Sequence, residues 1–406
     1  MDKKIYTQLS IMMFVEFFVW GAWYSTVGNF MAKVGMSDAI YWAYTVSPIG
    51  AIISPFFLGM VADRFFSAEK VLGVLHLIGG AAIFFTPFVA EAGPQYAVWF
   101  IILLLVHMLS YMPTIGLVNT LAFHNISDQE KQFPIIRVFG TIGWIVAGIF
   151  VSYILSADES GLPLHIAGIS GILMGLYSFT LPHTPPAASG KKITFREIIG
   201  IDALAQLKSK AFIVFIVSSL LISIPLAAYY SYAPVFINSL GITNPAFKMT
   251  FGQMSEMIFI VIMPFFFRYL GVKWMLAVGM FAWVLRYFLF ALAAPSGILW
   301  MVMFGIILHG ICYDFFFVTG QIYVDKKANS SIRGQAQGFL VLVTNGVGML
   351  IGAQISGWLF NNIINGGTAS SSHQWQLFWG IPSAFALLIL IIFAVFFNEK
   401  KTVEAK

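Results

Sequence analysis

Long apolar runs alternate with short polar intervals along the whole chain. Twelve of these runs predict helices near residues 6–32, 39–62, 71–91, 97–122, 134–156, 163–181, 211–238, 247–267, 273–294, 297–322, 336–362 and 375–397. Each is long enough to cross a bilayer core, which takes ~20 predominantly apolar residues. A β-barrel would show ten-residue alternating segments instead, so the pattern predicts an all-α polytopic chain. The longest polar interval runs from His183 to Lys210 and contains Pro185, Pro186, Gly190 and the bases Lys191, Lys192, Arg196, Lys208 and Lys210. It follows the sixth run. The expected organisation is therefore a six-helix bundle over residues 1–182, a linker loop over 183–210 and a second six-helix bundle over 211–406.

Composition sharpens this reading. Of 406 residues 59% are hydrophobic, and 22 Lys+Arg with 17 Asp+Glu supply only 10% charge, against roughly a quarter in soluble domains. Little chain remains for a soluble domain, which excludes a cytosolic enzyme and a nucleic-acid binder. The net charge of +5 then follows from topology. Eighteen Lys and Arg fall on the side of the N-terminus, whereas only Lys33 and Lys248 fall on the other. The positive-inside bias places both termini and the middle loop in the cytoplasm. The start, Met1-Asp2-Lys3-Lys4, lacks a cleavage signal behind a short core and predicts a retained first helix. The one cysteine, Cys312, allows no intrachain disulfide.

The two groups of six repeat weakly. The turn after the second run, Gly59 to Ala62-Asp63-Arg64, is answered after the eighth by Phe266-Phe267-Arg268 through Gly271. The loop from Asp325 to Arg333-Gly334 likewise answers the one from Asp128 to Lys131. Parallel six-helix repeats are the signature of the major facilitator architecture, in which substrate sits near the midplane between the halves.

Ionisable groups inside apolar runs are costly and mark functional sites by default. Here they are Glu16, Arg137, Glu256, Arg286 and Asp314, joined by His107 and His309. Arg137, Thr141 and Trp144 share one helix face, aligning a guanidinium, a hydroxyl and an indole for a ligand with carbonyl oxygens and a ring. The structural alternative for Arg137 is a buried carboxylate partner. Gln253 and Glu256, three residues apart, offer amide and carboxylate groups suited to hydroxyls such as those of a ribose. His309, Tyr313 and Phe317 recur every fourth residue as a stripe that is either a site wall or packing. Asp314 lies among Tyr313, Phe315, Phe316 and Phe317. A carboxyl group there loses hydration and can exchange a proton, unless it pairs permanently with an arginine such as Arg286. Glu16 shares a face with Trp20 and Trp23 and could line the cavity or carry a proton. Tyr229, Tyr230 and Tyr232 could close over a ligand or form an interfacial belt. No metal-ligand spacing and no phosphate-cradling loop appears, so no cofactor is expected.

Several segments together carry a resemblance. They are Trp20-Gly21-Ala22-Trp23, Tyr111 to Thr120, Phe133 to Gly143, the pair Gln253 and Glu256, Tyr313-Asp314-Phe315-Phe316, Ala336-Gln337-Gly338 and Thr344-Asn345-Gly346. Over nearly the whole chain they resemble the bacterial nucleoside:proton symporters of the major facilitator superfamily. The resemblance implies nucleoside uptake across the inner membrane driven by proton entry, by a protein acting as a monomer. It also implies a substrate-contacting set of Arg137, Thr141, Trp144, Gln253, Glu256, His309 and Tyr313, with Asp314 in conformational or proton coupling. The chain departs from the familiar pattern at Ala227-Ala228-Tyr229-Tyr230, where amides are usual, and at Trp144, His309 and Glu16. These departures leave the preferred nucleoside open. They also leave an alternative, a carrier or exporter of another polar solute. A receptor would carry a signalling domain, and an intramembrane enzyme would need a nucleophile and base pair; neither is visible.

Overall fold

The structure is a computed structural model that describes residues 2–58, 65–186, 207, 209–329, 332–366 and 371–398. The Gly59–Arg64 turn, most of the linker and the C-terminal tail lie outside the described residues. Each predicted run coincides with helical chain over most of its described residues. The first six are α1 (Lys3–Lys33), α2 (Ser37–Phe57), α3 (Ala68–Glu91), α4 (Ala97–Asn125), α5 (Gln129–Gly148, continuing as a π turn, Ile149–Ile154) and α6 (Leu162–Ser178). The last six are α7 (Lys210–Ser239), α8 (245–270), α9 (272–293), α10 (Leu299–Lys327), α11 (Arg333–Asn365) and α12 (Ser371–Phe396).

Short polar side chains set the starts. Asp2, Asp128 and Ser209 accept hydrogen bonds from the backbone N–H groups of Lys4, Lys131 and Phe212, satisfying donors that an open first turn leaves unpaired. Hydrogen bonding runs on from α8 into α9, Pro245–Ala293, for 49 residues, about twice what a bilayer needs. Gly271 ends the first of the two, at φ 64° and ψ 179°, a backbone state open only to glycine at low cost.

The helices pack with a sixfold offset along the chain. In the first group α3 lies on α6, α1 on α5 and α2 on α4; in the second α7 lies on α11, α9 meets α12 where Ser383 donates to the Val284 carbonyl, and α8 meets α10. The internal repeat seen weakly in two loops is thus explicit in the packing. Rings of exposed apolar side chains, among them Val98, Val261 and Trp358, circle the bundle and would be unstable in water. They suit lipid.

The two groups meet at the end remote from the N-terminus. There Asn29 donates to the Pro234 carbonyl (3.3 Å), Asn238 to Glu159 (2.7 Å), and Asn361 and Asn365 to the Asp38 carbonyl and carboxylate (3.0 and 2.7 Å). Asp158 accepts from Ser152 in its own group (2.7 Å) and from the Ala246 backbone N–H at the start of α8 (2.9 Å), which has no side-chain cap of its own. Gln354 donates to Thr45 two turns deeper (2.8 Å). Among the described residues, no hydrogen bond joins the groups at the N-terminal end. The molecule is shut on the far side.

Candidate functional site

The wall from the first group is set by the crossing of α1 and α5. A Cβ at Gly143 would overlap the Phe14 carbonyl, so only glycine lets the two backbones meet. This close approach carries Arg137 onto the Phe17 ring, 4.2 Å from its centroid, and Trp144 against Trp20, ring centroids 5.3 Å apart. A guanidinium over an aromatic face keeps its charge while losing part of its water. Thr141 lies half-buried on the same α5 face.

The facing wall comes from α7, α8 and α10. His309 Nε2 stands 4.0 Å from Glu256 Oε2 and 3.4 Å from the Tyr230 hydroxyl. The stripe of His309, Tyr313 and Phe317 holds, with ring centroids 5.8 and 5.1 Å apart along it. Gln253 is buried one turn before Glu256, and its side-chain carbonyl has no partner among the described residues. Ser255, on the opposite α8 face, donates to the Ile307 carbonyl (2.5 Å) and fixes α8 on α10. Tyr24 bridges the walls, edge-on to both Trp144 (6.0 Å) and Tyr230 (5.9 Å). An aromatic arc therefore runs from Trp20 through Trp144, Tyr24, Tyr230 and His309 to Phe317. Sequence reasoning missed Tyr24, whose only signal was its place one turn past Trp20.

Arg137 and Glu256 belong to different walls and form no ion pair among the described residues. A cation and a carboxylate held apart across an aromatic-lined cleft can each bind a polar end of a flat ligand. Tyr229 stands one layer back: it is fully buried, stacked on His309 (5.4 Å) and covered by Arg286, whose guanidinium lies 4.0 Å from its ring centroid. Tyr230, its neighbour, is the tyrosine that faces the cleft. Tyr232 packs on Phe360 at 4.4 Å.

Asp314 opens a π turn, Asp314–Val318, and both carboxyl oxygens are buried with no partner among the described residues. Arg286 does not pair with it; its Nε donates to the Gly305 carbonyl (3.0 Å) instead. π turns within α-helices concentrate at functional positions. Glu16 does not face the cleft. Its side chain is fully buried within the first group, with one oxygen 2.7 Å from His76 Nε2 and the other 2.6 Å from the Thr114 hydroxyl. Sequence reasoning also missed His76, although an imidazole inside the third apolar run was signal enough.

A family model described as Nucleoside H+ symporter matches residues 3–402. The chain belongs to this symporter family. It is 40% identical to the putative nucleoside transporter YegT of Escherichia coli (strain K12), over 98% of this chain and 94% of that one. It is 31% identical to the nucleoside permease NupG of the same organism, over 97% and 96%. A crystal structure of the nucleoside transporter NupG superposes with a TM-score of 0.85 at 30% identity, covering 98% of this chain and all of that one. A D-xylose-proton symporter, at 13% identity and a TM-score of 0.76, shares the fold. The symporter is thus an all-α, multi-pass membrane protein of major facilitator architecture, a transporter and not an enzyme.

Proposed function

We propose that this symporter takes up nucleosides across the inner membrane, driven by protons moving with them down their gradient. The observation that carries the reading is the split site: Arg137 with an indole plate on one group of helices, Glu256 and Gln253 with a tyrosine and imidazole on the other. A nucleoside has a flat base with ring nitrogens and carbonyls at one end and ribose hydroxyls at the other. Arg137, Thr141 and Trp144 suit the base; Gln253 and Glu256 suit the hydroxyls. Tyr230, His309, Tyr313 and Phe317 close the aromatic wall, and Tyr229 buttresses His309 from behind. Binding that spans both groups ties them together, which is what alternating access requires.

The division into residues 1–182, 183–210 and 211–406 supplies the two rocking bodies and their connection. Excess Lys and Arg on the N-terminal side orients both termini to the cytoplasm. With the far side shut, this conformation releases to the cytoplasm. Asp314, Glu16 and Glu256 are the carboxyl groups within the membrane and the candidates to carry the proton. Each six-helix pair encloses its own site, so a monomer suffices.

The test is uptake of a panel of labelled nucleosides into proteoliposomes, with and without an imposed inward proton gradient. Saturable uptake that collapses when a protonophore dissipates the gradient is expected. Equal uptake in both conditions would make the protein a facilitator, and no uptake of any nucleoside would refute the reading.

A further inference from the structure

Glu16, Thr114 and His76 form a cluster on α1, α4 and α3 that the split site does not use. All three are buried. The Thr114 hydroxyl has one proton but two acceptors in reach: Glu16 Oε1 at 2.6 Å and the Tyr111 carbonyl of its own helix at 2.5 Å. It cannot donate to both. If the carboxylate is ionised, Thr114 donates to Oε1 and His76 Nε2–H donates to Oε2, so both oxygens are satisfied. If Oε1 carries a proton, that proton donates to Thr114, which turns its own toward the Tyr111 carbonyl, and His76 still donates to Oε2. Both states keep every heavy atom in place. Only one hydroxyl rotates.

We propose that Glu16 is a proton-binding site of the first six-helix group, with Thr114 as the rotor that accommodates either protonation state and His76 as the positioning donor. The proposal rests on the proton-symport reading. On loading, an O–H bond forms at Glu16 Oε1 and the Thr114 proton swings to the Tyr111 carbonyl; on release the reverse occurs and the proton passes to water. The titratable and charged groups facing the cluster are His107 and Tyr111 from α4 and Arg137 from α5, with Tyr177 from α6 two turns away on Gln8. Tyr111 ties the cluster to the cleft: its hydroxyl donates to the Glu16 carbonyl (2.7 Å) and its ring meets Trp20 (5.7 Å), which in turn abuts Trp144. Proton loading and ligand occupancy thus bear on the same indole.

The experiment compares wild type with Thr114→Val, Thr114→Ser and Glu16→Gln in proteoliposomes, reading gradient-driven accumulation of labelled uridine and adenosine, counterflow exchange, and the pH profile of uptake. Valine keeps the shape of threonine and removes the hydroxyl. Thr114→Val is expected to lose at least about tenfold in accumulation while counterflow stays within about twofold, and Thr114→Ser to restore accumulation. Glu16→Gln, a fixed neutral side chain, is expected to flatten the pH profile. Wild-type accumulation and pH profile in both Thr114→Val and Glu16→Gln would overturn the proposal. So would an equal loss of counterflow and accumulation in Thr114→Val, which would assign the hydroxyl to architecture. Wild type that ignores the gradient would instead refute the symport reading itself, before any variant is compared.

Discussion

At the scale of single residues, the polar groups divide by what they lose when truncated. Arg137 and Gln253 present donors and an acceptor with no hydrogen-bond partner across the cleft among the described residues, so in the proposed site a ligand would satisfy them. Removing one side of such a buried hydrogen bond costs about 1–3 kcal/mol, more where a charge is involved. Arg137→Ala and Gln253→Ala should each weaken nucleoside binding by roughly tenfold to a hundredfold, read by calorimetry on purified protein. Asp314 differs. With no partner for either oxygen among the described residues, its neutral amide analogue keeps the packing, so Asp314→Asn should retain binding and counterflow but lose gradient-driven accumulation. Full accumulation with a normal pH dependence would remove Asp314 from the proton path. The adjacent tyrosines separate cleanly too: Tyr230→Ala should weaken binding, whereas Tyr229→Phe, which deletes a hydroxyl with no partner among the described residues, should leave it within about twofold. Spacing along a helix made Arg137, Thr141 and Trp144 legible, because i, i+4 and i+7 fix a shared face. Which tyrosine faces the cleft was not legible, because α7 is apolar on all sides and its rotation is set by Arg286 and His309 on other helices.

Elements were the most legible scale, since a lipid-crossing helix must be written as an uninterrupted apolar run. What the runs concealed were irregularities inside them, such as the bend of α1 near Thr26 and the π turn that begins at Asp314; the joint at Gly271 instead falls in the interval between the eighth and ninth runs. Each depends on neighbouring helices or on one residue's backbone freedom. At Gly271 a Cβ would meet nothing within 4 Å, yet φ of +64° with an extended ψ is foreign to other residues. Gly271→Ala should therefore destabilise by about 1–3 kcal/mol through backbone strain alone. A lowered melting temperature in detergent, with unchanged ligand affinity, would show that the strain stays local. The Glu16 cluster was hidden for a related reason. Its three members sit on three helices, and 60 residues separate Glu16 from His76, so only packing brings them together.

At the scale of the whole molecule, the sequence indicated a duplicated bundle but not which face is shut, because closure rests on contacts such as that of Asp158 with Ala246, 88 residues apart. That contact means α8 borrows its first-turn anchor from the opposing half. Opening the far face therefore strips Asp158 from the positive end of a helix and hands both to water. Burial, the largest influence on Asp158, holds its carboxyl above the usual carboxylate range despite the N–H and hydroxyl donors. The shut form binds a proton there more tightly than the open form, where Asp158 is hydrated. Acidification toward the ordinary carboxylate range thus favours the shut form, and rising pH favours opening. Distances between spin labels at Gln95 and Ser296, on exposed far-side loops, should lengthen as pH rises out of the ordinary carboxylate range, and Asp158→Asn should abolish the change. The carrier would then be acid-braked on its far side: a proton held by one loop carboxyl slows the opening of an otherwise empty door.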